Sequence, residues 1–194
     1  MIPSDPVSTA AETVKRYPGP INQTHVCTGT WGFPYDSEKK FPLILLNALL
    51  GGGMSSRLFQ NIREQKGLAY SVYSFVDFWS DTGLWGIYMG TDPKVSSKAL
   101  SMVGTELNRL CRTPVSRTEI EQTKNQLIGN LILSSEDSTH RMNQLAKMES
   151  HTRQFLPLDE VIERIESVKA DDMQSVAKIL FHERKRFTVF VEPV

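Results

Sequence analysis

The spacing of apolar residues divides the chain into segments with the period of a strand and segments with the period of a helix. QTHVCTGTWG (23–32) is rich in Thr, Val and Trp and predicts a strand, whereas FPLILLNALL (41–50) predicts a largely buried helix that a run of glycines ends. Two aromatic segments, 68–79 and 83–92, flank the turn-forming SDTG and predict an antiparallel hairpin. RFTVFVEPV (186–194) predicts a last strand.

Helical periodicity dominates the chain after this hairpin. One apolar stripe follows directly, at Val95, Ala99, Val103, Leu107 and Leu110. SRTE (116–119) has the sequence of a capping box and predicts the start of the next helix, and further helices are expected over 139–152, 158–168 and 171–181. Because strands occur at the front, in the middle and at the end, the pattern predicts an α+β fold, a mainly antiparallel sheet with helices packed on one face.

A tight helix-to-strand corner precedes the hairpin. SSRLFQNIREQKGLAYSVYSF (55–75) predicts a short helix and then an aromatic strand. The apolar row of this helix consists of Met54, Leu58 and Ile62. Gly67 suits the left-handed residue just past a helix end. Arg63 therefore closes the helix, and Tyr70 opens the strand seven residues later.

Charge and composition exclude several classes of protein. The 194 residues carry 22 Lys and Arg against 22 Asp and Glu, so the chain lacks the net positive charge of a nucleic-acid-binding protein. No apolar run approaches the ~20 residues of a membrane-spanning helix. We therefore expect neither nucleic acid nor a membrane as a partner.

The front of the chain has the composition of a linker. MIPSDPVSTAAETVKRYPGP lacks the basic end and the apolar stretch of a signal peptide, and it contains several prolines. We therefore expect an extended linker over residues 1–22, one domain over 23–194, and a cytoplasmic location for the chain as given.

Several other candidate sites fail on spacing. GGGMSSR (51–57) lacks the Gly-Lys-Ser/Thr ending of a phosphate-binding loop and follows a helix, so a flexible corner, or close passage of a substrate backbone, explains it better. The histidines lack metal-ligand spacing and are expected at surface or loop positions: His25, His140, His151 and His182. Cys27 and Cys111 are too few for a disulfide framework, and Cys27 is expected to be a buried free thiol. RKR (184–186) is expected to be a solvated turn.

Arg63 and Tyr70 permit two interpretations. In a strand that begins at Leu68, Tyr70 shares a face with Leu68 and Val72, so a capping arginine and a half-buried core tyrosine would account for both residues. In the functional interpretation both side chains point into a cleft. There the Arg63 guanidinium holds a carbonyl, and the Tyr70 phenol donates a hydrogen bond to a developing oxyanion. Spacing alone favours the structural interpretation without excluding the other.

A longer stretch around this corner changes that balance. LLNALLGGGMSSRLFQNIREQKGLAYSVYSF resembles the second half of the pitrilysin-type zinc metallopeptidases, the family that includes mitochondrial processing peptidase. DTGLWGIYMGTDP and EIEQTKNQLIGNLILSSEDSTHRMNQLAKMES continue the resemblance, which covers nearly all of the chain after the linker. The resemblance implies a half-domain of the LuxS and processing-peptidase type. In this family two related halves close like a clamshell; the first carries the inverted zinc motif His-x-x-Glu-His, and the second supplies an Arg and a Tyr, seven apart. REQKGLAY carries that pair at Arg63 and Tyr70.

The chain contains no His-x-x-Glu-His. The resemblance therefore implies the carboxyl-terminal half alone, with no cofactor of its own, zinc in the missing amino-terminal half, and no peptide hydrolysis by the chain alone. The implied partners are that zinc-bearing half, in the same polypeptide or as a separate subunit, and a peptide substrate. An uncovered inner face would also favour self-association.

The resemblance also implies roles for individual residues. Arg63 and Tyr70 would orient the peptide and stabilise its tetrahedral intermediate, while Gly51, Gly52 and Gly53 would leave room for the substrate backbone. Relatives in respiratory complexes keep the fold without the chemistry. A non-catalytic structural or assembly module of the same fold is therefore the alternative.

Overall fold

The strands form a five-stranded sheet in the part of the chain that the computed structural model describes, residues 13–182 and 186–194. The sheet order is β1-β5-β2-β4-β3, with β1 (Thr13–Gly19), β2 (Thr24–Trp31), β3 (Ser71–Phe78), β4 (Gly83–Thr91) and β5 (Phe187–Pro193). Neighbouring strands are antiparallel except β1 and β5, which are parallel. The hairpin predicted around SDTG is confirmed as β3 and β4.

The first strand corrects the prediction of a linker over residues 1–22. Thr13–Gly19 pairs with β5 along its whole length, from Thr13 opposite Phe187 to Gly19 opposite Pro193. Pro18 is tolerated because β1 lies at the edge of the sheet, where one side of the strand needs no partner. Prolines and an extended backbone are common to linkers and edge strands, so the local sequence did not distinguish the two. The rest of that prediction, residues 1–12, and most of the turn expected at 184–186 lie outside the described residues.

The helices pack against one face of the sheet. They are α1 (Lys40–Gly51), a short π-helix (Phe59–Glu64), α2 (Ser96–Arg112), α3 (Arg117–Ser135), α4 (Ser138–Thr152), α5 (Leu158–Ser167) and α6 (Ala170–Leu180). Val26 of β2 and Ile87 of β4 are fully buried on this face, and the Trp85 and Phe181 ring centroids are 4.5 Å apart. The predicted α+β fold is therefore confirmed. None of these described helices has the length and apolar character needed to cross a membrane.

The opposite face of the sheet is only partly buried and rich in rings; we call it the open face. Its aromatic side chains are Tyr17, His25, Trp31, Tyr73, Phe75, Tyr88 and Phe187. Tyr73 and Tyr88 lie side by side, with ring centroids 5.1 Å apart, and the Tyr88 hydroxyl is 2.6 Å from Nδ1 of His25. The sheet therefore presents helices to one side and a partly exposed aromatic surface to the other.

Candidate functional site

The corner that carries Arg63 begins with a π-helix instead of the expected α-helix. Gln65 N–H donates to the carbonyl of Gln60, five residues earlier, which is the hydrogen bond that defines this wider helix. Leu58 and Ile62 are fully buried as expected, but Met54 is 74% exposed because it lies in the turn before the helix. π-Helical turns are rare and occur frequently at functional sites, so this departure from prediction falls where a site was expected.

Gly67 ends this helix in the left-handed conformation that the sequence predicted. Its φ is +58°, and its N–H donates to the Arg63 carbonyl at 3.0 Å. Leu68 N–H reaches back to the Ile62 carbonyl at 2.9 Å. The backbone around Arg63 is thus held by hydrogen bonds on the residues that follow it.

The Arg63 side chain remains available to a ligand. It is 45% exposed, and its guanidinium carbon lies 4.8 Å from the centroid of the Phe59 ring. Nε of Arg63 is 3.9 Å from Oε1 of Glu64, a long contact between two exposed groups that contributes little energy. The carbonyl of Arg63, not its guanidinium, takes part in the end of the helix. The capping role considered for this side chain therefore does not describe it.

Tyr70 is exposed, which corrects the expectation of a half-buried core tyrosine. The side chain is 62% exposed, whereas Leu68 and Val72, expected on the same face, are buried. The alternation fails because Leu68 and Ala69 are buried consecutively and strand pairing starts only at Ser71. Tyr70 N–H nevertheless donates to the Gly90 carbonyl at 2.8 Å, so the backbone is fixed to β4 while the phenol is free.

A partly buried ionic network holds the start of the π-helix against α2 and α3. Arg57 donates from Nε and Nη2 to the two carboxylate oxygens of Glu119, both at 2.7 Å. Asn61 donates to Oε1 of Glu106 at 2.9 Å, and Nη1 of Arg57 is 3.9 Å from Oε2 of the same glutamate. The hydrogen bonds to Glu119 raise the pKa of the Arg57 guanidinium. This bidentate ion pair fixes the segment from which Arg63 projects.

This network was not predictable from the sequence, because the capping-box pattern gives Glu119 another partner. Ser116 caps α3 as predicted, since its hydroxyl accepts from the Glu119 N–H at 3.3 Å. The Glu119 carboxylate, however, does not return to the cap but pairs with Arg57, 62 residues earlier. No local signal identifies a partner at that separation.

Packing within the chain accounts for two of the three glycines at the end of α1. A Cβ at Gly51 would meet Oγ of Ser74 at 2.6 Å and the Ser74 backbone nitrogen closer still. A Cβ at Gly52 would lie 2.6 Å from the Cα of Ala48. Gly53 faces only the end of the Gln126 side chain, at 3.1 Å. A substrate-binding role for the three glycines stays a prediction, and Gly53 has the most room for it.

The other candidate residues show no catalytic arrangement. His25, expected at a surface or loop position, lies within β2 and is partly buried against Tyr88. His151 stacks on Tyr35, with ring centroids 4.5 Å apart. Cys27 and Cys111 are free thiols, and burial raises the pKa of both, which disfavours the reactive thiolate. Cys27 is only partly buried, so the expectation of a buried thiol holds in part.

Comparison with known proteins gives this architecture a family. The family profile described as "Peptidase M16 inactive domain" matches residues 1–127. An uncharacterized zinc protease of Streptomyces coelicolor is 37% identical over 167 residues, which cover 86% of this chain and 36% of that protein. The uncharacterized zinc protease YmxG of Bacillus subtilis is 38% identical over 161 residues, covering 83% of this chain and 39% of that protein.

A solved structure shows the same fold. A protease from Helicobacter pylori superimposes with a TM-score of 0.88 at 20% sequence identity, over 96% of this chain and 45% of that one. The chain is thus an α+β half-domain of zinc-protease type. It belongs to the peptidase M16 family, as the domain that the family describes as inactive. The chain spans less than two fifths of the length of the two curated relatives.

Proposed function

We propose that the chain is the non-zinc lobe of a clamshell zinc metalloendopeptidase and contributes Arg63 and Tyr70 to a composite active site. The observation that carries the proposal is the exposure of both side chains at a corner whose backbone is fixed by hydrogen bonds. A site completed from outside needs rigid backbone and free polar ends, and this corner offers both. Membership of the M16 family supplies the rest of the support.

In this proposal zinc belongs to the amino-terminal half, either in the same polypeptide or in a separate subunit. The chain fits that division, because residues 13–182 and 186–194 contain no group of three His, Cys, Asp or Glu side chains suited to a metal ion. Bound in the other half, zinc would activate the water that attacks a peptide carbonyl. The chain alone would then hydrolyse no peptide.

Arg63 and Tyr70 would act on the substrate from the opposite wall. The Arg63 guanidinium is permanently charged and rests on the Phe59 ring, so it can hold a substrate carbonyl without first being ordered. The Tyr70 hydroxyl would donate a hydrogen bond to the oxyanion that develops on the attacked carbonyl. Such donors contribute most when they are fixed before the reaction, and the Tyr70–Gly90 hydrogen bond fixes the backbone of this one.

Peptide cleavage by the chain combined with the zinc-bearing half tests these roles. Tyr70→Phe removes one donor and is expected to lower kcat by roughly 10²-fold with an unchanged unfolding temperature. Arg63→Ala is expected to raise KM and lower kcat together, since the guanidinium positions the peptide before chemistry.

Two matched controls separate these effects from general damage. Tyr35→Phe removes a phenol from the loop on the helix side of the sheet, away from the open face, and Lys66→Ala removes an exposed cation from the same corner as Arg63; both should retain wild-type kinetics. Wild-type turnover in a folded Tyr70→Phe protein would defeat the assignment of Tyr70. Unaltered kinetics in both Arg63→Ala and Tyr70→Phe would favour a structural or assembly module of the same fold instead.

We also propose that the open face is the surface turned toward the zinc-bearing half. Exposed aromatic side chains such as Tyr73 and Trp31 are typical of a surface that a partner covers. Without that partner the same surface would favour self-association. Light scattering on the chain, with and without the zinc-bearing half, measures self-association and association with that half. A chain that stays monomeric alone and also when mixed with the zinc-bearing half would contradict the proposed contact.

A further inference from the structure

A cavity of about 650 Å³ lies among the helices, on the side of the sheet opposite the open face. It is bounded by α1, α3, α4 and α5, by the loop at residues 35–37 and by residues 154 and 156, and neither Arg63 nor Tyr70 lines it. Its volume falls within the range of pockets that hold small molecules, ~300–1,000 Å³. The cavity is therefore separate from the site described above and large enough for a ligand of its own.

The cavity is lined by apolar side chains together with polar ones, and it holds three cations, Lys40, Lys147 and Arg164. Its apolar side chains are Phe41, Ile44, Leu131, Met148, Leu156 and Val161. Nζ of Lys40 lies 3.2 Å from the Tyr35 ring centroid, a cation–π contact. Among the ion pairs of the described residues, none includes Lys40 or Lys147, whereas Arg164 donates to Glu160 at 2.6 Å.

Lys40 is the cation whose charged form the fold disfavours. Burial, and secondarily the positive charge of Arg164, lowers the pKa of its ammonium from an ordinary 10.5 to about 8. Asp36 lines the same cavity, but it does not offset this effect. An anion placed between Lys40 and Arg164 would remove the repulsion between them.

The charges also indicate what kind of anion fits. Lys40, Lys147, Arg164 and Asp36 line the cavity, and Arg164 is paired with Glu160, so the formal surplus is one positive charge when His140 is counted as neutral. A single carboxylate matches that surplus better than a phosphate with its two charges. The apolar walls call for a hydrocarbon or aromatic body attached to it.

We propose that this cavity binds a small carboxylic acid with an apolar body, the carboxylate lying between Lys40 and Arg164 and the body against Phe41 and Val161. The site is independent of peptide cleavage and of the zinc-bearing half. Its ligand is defined by one negative charge at one end and an uncharged hydrocarbon or aromatic remainder.

Binding of 4-phenylbutyrate to the chain, measured by calorimetry, tests the proposal against two other probes. Its neutral amide has the same body without the charge, and inorganic phosphate is an anion, with up to two charges, that lacks the body. The carboxylate is expected to bind about 10-fold or more tightly than the amide, as a charge-assisted contact implies. Equal affinity for acid and amide would overturn the role of the cations, and equal affinity for phosphate would overturn the role of the apolar walls.

Two variants locate the carboxylate. Lys40→Met keeps the stem and removes the charge, and it should weaken 4-phenylbutyrate about 10-fold or more with little effect on the amide. Lys39→Met is the matched control, because Lys39 does not line this cavity and its ammonium lies over the Phe33 ring, so the affinity should be unchanged. Unchanged affinity in folded Lys40→Met, or equal loss in Lys39→Met, would contradict the placement.

Titration of Lys40 by NMR gives a readout that a purely structural lysine would not produce. A bound carboxylate favours the charged ammonium, so the pKa of Lys40 should rise from about 8 toward its ordinary value when 4-phenylbutyrate is added. The amide should leave that pKa where it is. A lysine pKa unaffected by saturating carboxylate would place the ligand elsewhere and reject the proposal.

Discussion

At the scale of the residue, the partly buried charge of Lys40 lowers the stability of the folded chain. Its pKa is about 8 in the folded chain and about 10.5 when exposed, so below pH 8 the ammonium is charged in both states and the folded state is penalised. Between these two values the unfolded chain binds more protons than the folded one. The contribution of Lys40 therefore becomes less unfavourable as the pH rises from 8 to 10.5, and it vanishes above that range.

This sign gives a prediction for Lys40→Met in the absence of ligand. The variant should unfold at a higher temperature than wild type at pH 7, and the difference should shrink as the pH rises from about 8 to about 10. Thermal unfolding at several pH values across this range measures it, with Lys39→Met as the control that should show no such trend. A pH-independent difference would mean that the introduced methionine side chain acts through packing and not through the missing charge.

Backbone conformation was easier to predict from the sequence than the exposure of a side chain or its distant partner. Gly67 was predictable because a glycine after a helix-like segment has one common use, and the left-handed φ confirms it. The exposure of Tyr70 was not, because alternation was counted from Leu68 whereas pairing starts at Ser71. Arg57 and Glu119 were missed because their contact joins distant parts of the chain.

At the scale of the element, the contact between α1 and β3 depends on the absence of a side chain at Gly51. Gly51→Ala would place a methyl group against Ser74, so we expect a loss of ~1–3 kcal/mol in the free energy of unfolding. The matched change Gly129→Ala lies within α3, where a Cβ meets nothing within 4 Å, and it should stabilise by ~0.5–1 kcal/mol.

Urea unfolding of both variants measures the difference. Stabilisation of the same size by both alanines would show that α1 and β3 can separate at no cost. That result would also revive a purely functional explanation for glycine at position 51, since packing would then no longer require it.

Most elements were predictable because their apolar spacing reports the face that is buried. Ala99, Val103, Leu107 and Leu110 are buried in α2 as the stripe predicts. The π-helix was not predictable, because the burial of Leu58 and Ile62 fits an α-helix as well as it fits a π-helix. The edge strand β1 was not either, since its partner β5 lies at the other end of the chain.

At the scale of the whole molecule, metal analysis tests whether zinc is bound by this chain or by the other half of the protease. We predict that the purified chain, after mild chelation and re-exposure to zinc, retains well below one zinc per molecule, because its described residues offer no cluster of three ligands. Elemental analysis after gel filtration measures the ratio. One tightly held zinc per chain would contradict the proposal that the metal belongs to another half.

The position of β5 has a consequence for the order of events during synthesis. β5 lies between β1 and β2 in the sheet, although the ribosome makes it after every other described element. Until those residues emerge, β1 has no neighbour and one side of β2 exposes unpaired N–H and C=O groups. A nascent chain that has reached α6 therefore holds its helices and the hairpin β3–β4 beside an unfinished edge, and this edge is open to pairing with other chains. Translation that stalls before β5 is complete would leave an aggregation-prone intermediate, not a slightly shorter domain.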